Sequence, residues 1–329
     1  MALAPTGSLV YVSGTWGGAP RTLTWVHRDG REEPLTAPPQ QYFEPQVSPD
    51  GTRVVMTVAD RGSTNVWVWD LTQETFTRLT FDAALDYAPA WTPDGSRVVF
   101  GSSREGGGEL VWKAADGTGG IERLMESDRV VLPLSWSEDG RLLFNELGGT
   151  SAGYNVGLLS VQGERHRDMA LDTEANESHA SLSPDGRWLV YSSDESGQYE
   201  VYVRPFPNVD DGKWQATTDG GAEPLWSPDG KELFYTSSAH VGLMAVSITT
   251  DPTLSWGNPE RLFSTRDYAI AFEGLLSFRS YHISPDGQRF LMLKPEATAS
   301  GGQEPFELVF VQNWTEELKA RVPTSVSET

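Results

Sequence analysis

Ser183-Pro184-Asp185-Gly186, followed by the alternating stretch Arg187-Trp188-Leu189-Val190-Tyr191, is one copy of a repeated motif. The other copies are Ser48-Pro49-Asp50-Gly51, Thr92-Pro93-Asp94-Gly95, Ser137-Glu138-Asp139-Gly140, Ser227-Pro228-Asp229-Gly230 and Ser284-Pro285-Asp286-Gly287, with a worn copy at Ala4-Pro5-Thr6-Gly7. The glycines of successive copies are 44, 44, 45, 46, 44 and 57 residues apart. A nearly fixed period of this length indicates a repeat architecture.

Each copy has the chemistry of a tight β-turn, because proline presets φ at the first central position and glycine takes the positive φ that closes the loop. A short apolar run precedes each turn, and alternating runs follow it. Four short strands per repeat are typical of a β-propeller blade. The seven turns predict an all-β, seven-bladed β-propeller of four-stranded antiparallel blades, with the first and last blades incomplete. The strand count falls between six and seven full blades, so a six-bladed ring is the alternative.

The repeat covers nearly all of the 329 residues, which predicts a single β-propeller domain over residues 1–323. Near its end Trp314, Leu318 and Val322 fall at helical spacing, which predicts a short helix over residues 314–322 that Pro323 ends. Residues 324–329 are predicted to be a disordered tail.

Composition excludes several classes of partner. Lysine and arginine number 25 against 46 aspartates and glutamates, and the net charge of −21 argues against binding nucleic acid. The chain has no cysteine, so disulfides and thiolate metal sites are excluded. It has no apolar run of about 18 residues, so we expect no membrane insertion by this chain. We expect a monomer.

Several segments resemble a known family. They are residues 23–30 (Leu-Thr-Trp-Val-His-Arg-Asp-Gly), 78–82, 176–177 ahead of the turn at Ser183, 200–207 and 313–318. In this order they resemble the TolB-type β-propeller, and within it the C-terminal propeller of bacterial serine/threonine protein kinases. The resemblance implies the sensor or interaction module of a bacterial signalling protein, in an extracytoplasmic (periplasmic) domain of a larger protein. No kinase signature occurs in this sequence.

Candidate catalytic motifs are weak. Gly149-Thr150-Ser151-Ala152-Gly153 matches the nucleophile elbow of α/β-hydrolases, but it lies between two blade strands, so we predict that Ser151 is not a nucleophile. The histidines lie in different repeats, which leaves a metal site at the axis open without predicting one. We therefore predict a non-catalytic ligand- or protein-binding propeller without a cofactor, although a divalent cation in the channel stays open. The alternative is a propeller-type lyase or hydrolase that uses carboxylates and histidines at the channel mouth.

The end of the ring at which the innermost strands begin gathers the longer loops, and we call it the loop mouth; function concentrates on such loops. Residues where these strands begin converge there and predict a binding site made of Glu44, Asp86, Tyr87, Glu177, His179, Glu223 and Arg279. The longer last gap predicts an apolar flap over it, with Tyr268, Phe272 and Phe278. Gathered carboxylates repel one another unless a cation or a basic group relieves them. We therefore expect a protein, peptide, cationic or carbohydrate ligand. The alternative is that these carboxylates accept hydrogen bonds from neighbouring loop backbone or pair with Arg129 or Arg279.

Overall fold

The computed structural model describes residues 2–3, 9–13, 19–60, 63–104, 106–148, 153–237, 241–251, 253–270, 279–296 and 307–311, the first two ranges and the last by their backbone alone. Two compact units contain these residues: residues 20–296 form the larger one, and the two ends of the chain form the smaller. Helical structure in these ranges is a three-residue 3-10 turn at Val209–Asp211, and no helix there is long and apolar enough to cross a membrane.

Nearly all regular structure is β-strand. In chain order the strands are β1 (Ala2–Leu3), β2 (Leu9–Ser13), β3 (Arg21–His27), β4 (Glu32–Pro34), β5 (Gln41–Val47), β6 (Arg53–Asp60), β7 (Ser63–Asp70), β8 (Thr75–Arg78), β9 (Asp86–Trp91), β10 (Arg97–Ser102), β11 (Gly108–Ala114), β12 (Glu122–Ser127), β13 (Val131–Trp136), β14 (Arg141–Leu147), β15 (Tyr154–Ser160), β16 (Arg167–Leu171), β17 (Glu177–Leu182), β18 (Trp188–Ser193), β19 (Glu200–Pro205), β20 (Trp214–Gln215), β21 (Gly221–Trp226), β22 (Glu232–Ser237), β23 (Leu243–Thr249), β24 (Ser255–Trp256), β25 (Glu260–Phe263), β26 (Tyr281–Ile283), β27 (Arg289–Pro295) and β28 (Glu307–Val311).

The strands of residues 20–296 form six antiparallel sheets in the part of the chain that the structure describes. Blade 1 is β5–β8, blade 2 is β9–β12, blade 3 is β13–β16 and blade 4 is β17–β20. Blade 5 is β21–β25, in which β24 and β25 pair with different parts of β23. Blade 6 has the order β26-β27-β3-β4 and so combines strands from both ends of this unit. The prediction of a propeller with four-stranded antiparallel blades is confirmed.

The repeated turn has the predicted structure. In blade 1 the N–H of Gly51 donates to the carbonyl of Ser48 at 2.8 Å, and Gly51 has a φ of 73°. The Asp50 carboxylate accepts from the Ser48 hydroxyl at 2.5 Å and from the Thr52 N–H at 3.0 Å. The turn therefore binds its own aspartate, and these bonds lower the pKa of Asp50 to about 2.

The predicted number of seven blades is wrong, and the alternative of six is correct. The first repeat and the last repeat each looked like an incomplete blade, but they are two halves of one blade. Strand β27 pairs with β3 from Arg289 opposite His27 to Pro295 opposite Arg21, which closes the ring. The strand Leu9–Ser13 pairs with β1 and β28 in a separate three-stranded sheet of the smaller unit.

Hydrophobic side chains fill the spaces between neighbouring blades. Each of the six buried clusters in the described residues joins one blade to the next, including blade 6 to blade 1. At the contact of blades 5 and 6, Phe234 meets Phe290 edge to face with 5.0 Å between ring centroids. Both faces of each blade are thus covered, which explains why the strands read as apolar on both sides.

The remaining predictions about the chain end fall outside the described residues. They are the helix over residues 314–322, the domain boundary at residue 323 and the tail over residues 324–329. They stay predictions.

Leu291→Ala should destabilise the closing blade. Leu291 is fully buried in β27, in the cluster between blades 6 and 1, so its truncation leaves a cavity there. We expect a loss of about 2–5 kcal/mol in the free energy of unfolding, measured by urea denaturation. The control is Leu85→Ala, because Leu85 is 44% exposed; it should change stability by no more than about 0.5 kcal/mol. Equal losses in the two variants would contradict the packing of blade 6.

Candidate functional site

A backbone irregularity recurs at one position of the innermost strands. Four residues before the first residue of the repeated turn, Glu44, Ala88, His179 and Glu223 have φ values of 54°, 51°, 53° and 54°. At each of them the pairing with the second strand of the blade shifts register. Left-handed backbone at a residue other than glycine costs roughly 1–2 kcal/mol, so other contacts must hold these bulges in place.

Two of the bulge residues provide such contacts through their carboxylates. Glu44 Oε2 accepts from the N–H of Ala88 at 2.6 Å and from the Thr57 hydroxyl at 2.6 Å. Glu223 accepts from the N–H of Ser280 at 2.6 Å and from its hydroxyl at 2.9 Å. Ala88 and Ser280 occupy the same repeat position as the two glutamates, one blade further on. Each glutamate therefore fastens its own bulge to the equivalent position of the next blade.

Arg279 binds backbone carbonyls of two other blades. Its Nη1 donates to the carbonyl of Pro224 at 2.9 Å, and its Nη2 donates to the carbonyl of His179 at 3.0 Å. Burial lowers the pKa of Arg279 from its usual value, but a guanidinium stays charged in proteins. The positive charge of blade 6 is thus held against the bulges of blades 4 and 5.

Three of the predicted site residues line one small axial cavity. The cavity has a volume of about 20 Å³, and its polar lining includes Glu44, His179 and Arg279. That volume accommodates about one water molecule. Glu44 is buried, and its Oε1 has no hydrogen-bond partner among the described residues. Burial raises the pKa of Glu44 to about 7.

Asp86 and Tyr87 lie at the start of β9 and do not line this cavity. The Asp86 carboxylate is fully buried and accepts from the Ser102 hydroxyl at 2.7 Å and from Arg104 Nη2 at 2.9 Å. Burial raises the pKa of Asp86, against the effect of these donors. The Tyr87 ring lies over Gly101, where a Cβ would come within 2.3 Å of the ring. Burial is the largest cause of the raised pKa of Tyr87, and the nearby charge of Glu44 is the second.

Glu177 lies six residues before its turn, as Asp86 does, whereas Glu44 and Glu223 lie four residues before theirs. Its carboxylate accepts from the Thr173 hydroxyl, and Oε2 has no hydrogen-bond partner in the described ranges. Burial raises the pKa of Glu177 to about 7. The four predicted carboxylates therefore occupy two levels, and only Glu44 among them lines the axial cavity.

The predicted flap is described at one of its three residues. Tyr268 is buried in the cluster between blades 5 and 6, and its hydroxyl donates to Glu32 Oε1 at 2.6 Å. This contact places the ring in the interface between the blades. Phe272, Phe278 and the predicted non-nucleophile Ser151 lie outside the described residues.

The sequence did not predict which groups donate hydrogen bonds to the carboxylates. Ser280 stands at the repeat position of Glu44 and Glu223, so alignment of the repeats could have found it. Nothing in the sequence marks Thr57 or Arg104, because their roles depend on strand register. Among the residues described, no three histidine, aspartate or glutamate side chains form a group that could hold a metal ion.

Comparison with known proteins supports the fold. Residues 4–167 match the family model described as TolB beta propeller domain. The structure of putative TolB from Agrobacterium tumefaciens is similar with a TM-score of 0.65 and 17% sequence identity, and the match covers 86% of this chain and 100% of that one. At that identity the likeness concerns the fold alone.

Two curated relatives carry peptidase names. The uncharacterized peptidase YuxL of Bacillus subtilis is 23% identical over 207 residues, which are 49% of this chain and 31% of that protein. Dipeptidyl-peptidase 5 of Porphyromonas gingivalis is 26% identical over 275 residues, with 77% of this chain and 37% of that protein covered. The chain thus spans about a third of the length of these relatives.

Glu44→Gln should change how stability depends on pH. The pKa of about 7 in the folded chain lies above the usual value of 4.5, so the folded state binds more protons between these pH values. The contribution of Glu44 to stability is therefore greatest below pH 4.5 and is lost as the pH rises through 7. Glutamine does not ionise. Between pH 5 and pH 8 we expect the variant to gain about 2–3 kcal/mol relative to the wild type in urea unfolding.

Glu164→Gln is the control for this measurement, because Glu164 is exposed. Its stability should follow that of the wild type across the same pH range. If the Glu44→Gln profile also runs parallel to that of the wild type, the raised pKa of Glu44 is refuted.

Proposed function

We propose that this chain is a non-catalytic binding module, the sensor or interaction part of a bacterial signalling protein; the match of residues 4–167 to the TolB beta propeller domain supports this. Its ligand binds at the loop mouth. In this proposal the propeller is an extracytoplasmic domain of a larger protein, as the resemblance to kinase-linked propellers implies.

The observation that carries the proposal is that carboxylates at the loop mouth make structural hydrogen bonds. Acid–base catalysis needs an acid and a base that reach one point on a substrate. Both oxygens of Glu223 accept from Ser280, and the Asp86 carboxylate accepts from Ser102 and Arg104. Glu223 thus joins two blades and Asp86 binds within its own blade, which favours a rigid binding surface.

Glu44 and Glu177 are the carboxylates best suited to contact a ligand. Each has one buried oxygen without a hydrogen-bond partner in the described part of the chain. Such an oxygen is costly to bury unless a donor or a cation satisfies it. This cost favours a cationic or polyhydroxylated ligand, such as a basic peptide, a divalent cation or a sugar. The axial cavity holds about one water, so a ligand larger than a metal ion would bind outside it, at the mouth.

A propeller-type lyase or hydrolase is the second candidate. The pKa of about 7 for Glu44 and for Glu177 favours it, because a general acid or base works best near neutral pH. The peptidase names of the two relatives belong to proteins about three times as long as the matched part.

A thermal-shift screen of divalent cations, basic peptides and neutral sugars should identify a ligand of the wild type. Calorimetry would then compare its affinity for the wild type, Glu44→Gln and Glu177→Gln. We expect one or both variants to bind about tenfold more weakly, because each loses a negative charge close to the ligand. The control is again Glu164→Gln, which should bind like the wild type.

Unchanged affinity in both variants would refute the assignment of the site. Conversion of the bound ligand into a product, detected by mass spectrometry and abolished in Glu44→Gln, would refute the non-catalytic reading and establish the second candidate.

A further inference from the structure

A pocket of about 540 Å³ lies between blades 1 and 2, away from the axial cavity. One wall is the segment that leaves blade 1 after β8, residues 79–82, and the other is formed by β11 and its neighbours in blade 2. The pocket shares no lining residue with the axial cavity. Its volume lies in the range of small-molecule sites.

Three cations line the pocket, and two of them are already paired with carboxylates. Its charged lining residues are Arg104, Lys113 and Arg123 against Asp82 and Glu109, so positive charges exceed negative ones by one. Arg123 pairs with Glu109 at 3.1 Å and with Glu126 at 3.6 Å. Arg104 pairs with Asp82 at 3.1 Å and with Asp86 at 2.9 Å. Lys113 is the lining cation that forms no ion pair within the described residues. An ammonium group without an ion-pair partner beside a cavity favours a ligand with a single negative charge.

Lys113 can donate to such a ligand. Its Nζ donates to the carbonyl of Leu79 at 3.0 Å and lies 5.8 Å from the centre of the Phe81 ring. An ammonium group has three donors, and a carbonyl uses one of them. The side chain is half-buried, so a charged hydrogen bond made there is only partly screened by water.

Arg104 lines the same pocket. Its Nη2 binds Asp86 and Asp82, whereas Nε and Nη1 are buried and have no hydrogen-bond partner in the described ranges. Unsatisfied buried donors of a charged group destabilise the fold. A negative charge bound nearby would reduce that cost.

Apolar side chains line both walls of the pocket. Phe81 is 68% exposed, the largest exposed fraction of any large hydrophobic side chain in the described residues. It stands at the edge of the pocket, beside Leu79, Val111 and Ile121. An exposed aromatic ring beside a cavity is typical of a binding surface.

We propose that this pocket binds a carboxylate attached to an apolar group. Lys113 donates to the carboxylate, and Phe81 covers the apolar group. The carboxylates that pair with Arg104 and Arg123 leave Lys113 as the lining cation open to an anion, which favours one carboxylate over a phosphate or a polyanion. Two sources have this chemistry: a free organic acid, and the C-terminal carboxylate of a peptide that ends in an apolar residue.

Calorimetric titration with phenylacetate, with the tripeptide Gly-Gly-Phe and with its C-terminal amide tests the proposal. We expect phenylacetate to bind the wild type and neutral phenylacetamide not to bind. Binding of Gly-Gly-Phe but not of its amide would add the peptide C-terminus as a source, and failure of the tripeptide would limit the site to free acids. Lys113→Gln and Phe81→Ala should each weaken phenylacetate binding by about tenfold.

Lys231→Gln is the matched control, because Lys231 is 79% exposed at the repeated turn of blade 5. Phe81→Ala keeps the test valid if Lys113→Gln does not fold, because truncation of an exposed ring should leave the fold intact. Glu44→Gln should retain phenylacetate binding, which separates this site from the loop mouth. No binding of phenylacetate to the wild type, or equal binding by Phe81→Ala and the wild type, would overturn the proposal.

Discussion

The pairing of β27 with β3 is the constraint on which the rest of the propeller depends. It joins residues 289–295 to residues 21–27 and turns a row of five blades into a closed ring of six. Without it, one face of blade 1 and one face of blade 5 would be exposed, together with the edges of two unpaired half-blades. Closure covers these apolar faces and removes the exposed edges, which is how this architecture avoids aggregation through strand edges. The blade interfaces, and therefore the spacing of the mouth residues, follow from it.

The sequence predicts the blades well because turn chemistry is local. Proline, aspartate and glycine in Ser48-Pro49-Asp50-Gly51 have preferences that act over four residues, and the structure has the expected turn there. The number of blades depends on which distant strands pair. The sequence of residues 21–27 is compatible both with a strand of a seventh blade and with a strand that pairs with residues 289–295. No local preference decides between the two, and so the count was wrong.

The candidate site was predictable to a similar degree. The position of Glu44, His179 and Arg279 around one cavity follows from repeat spacing alone. The hydrogen bond from Ser280 to Glu223 does not follow from the repeat spacing. It requires a left-handed bulge at a glutamate, and the residue type does not predict that conformation. The pocket beside Phe81 combines a segment after one blade with strands of the next. Its residues have no common position in the repeat, so a reading organised by the repeat could not find it.

Closure by strands from both ends also sets the order of events during synthesis. Strand β3 leaves the ribosome about 260 residues before β27. At 5–20 residues per second this interval is on the order of tens of seconds. During that time the nascent chain carries complete blades next to a half-blade that has no partner. Blade 6 therefore cannot form until residues 289–295 have been synthesised.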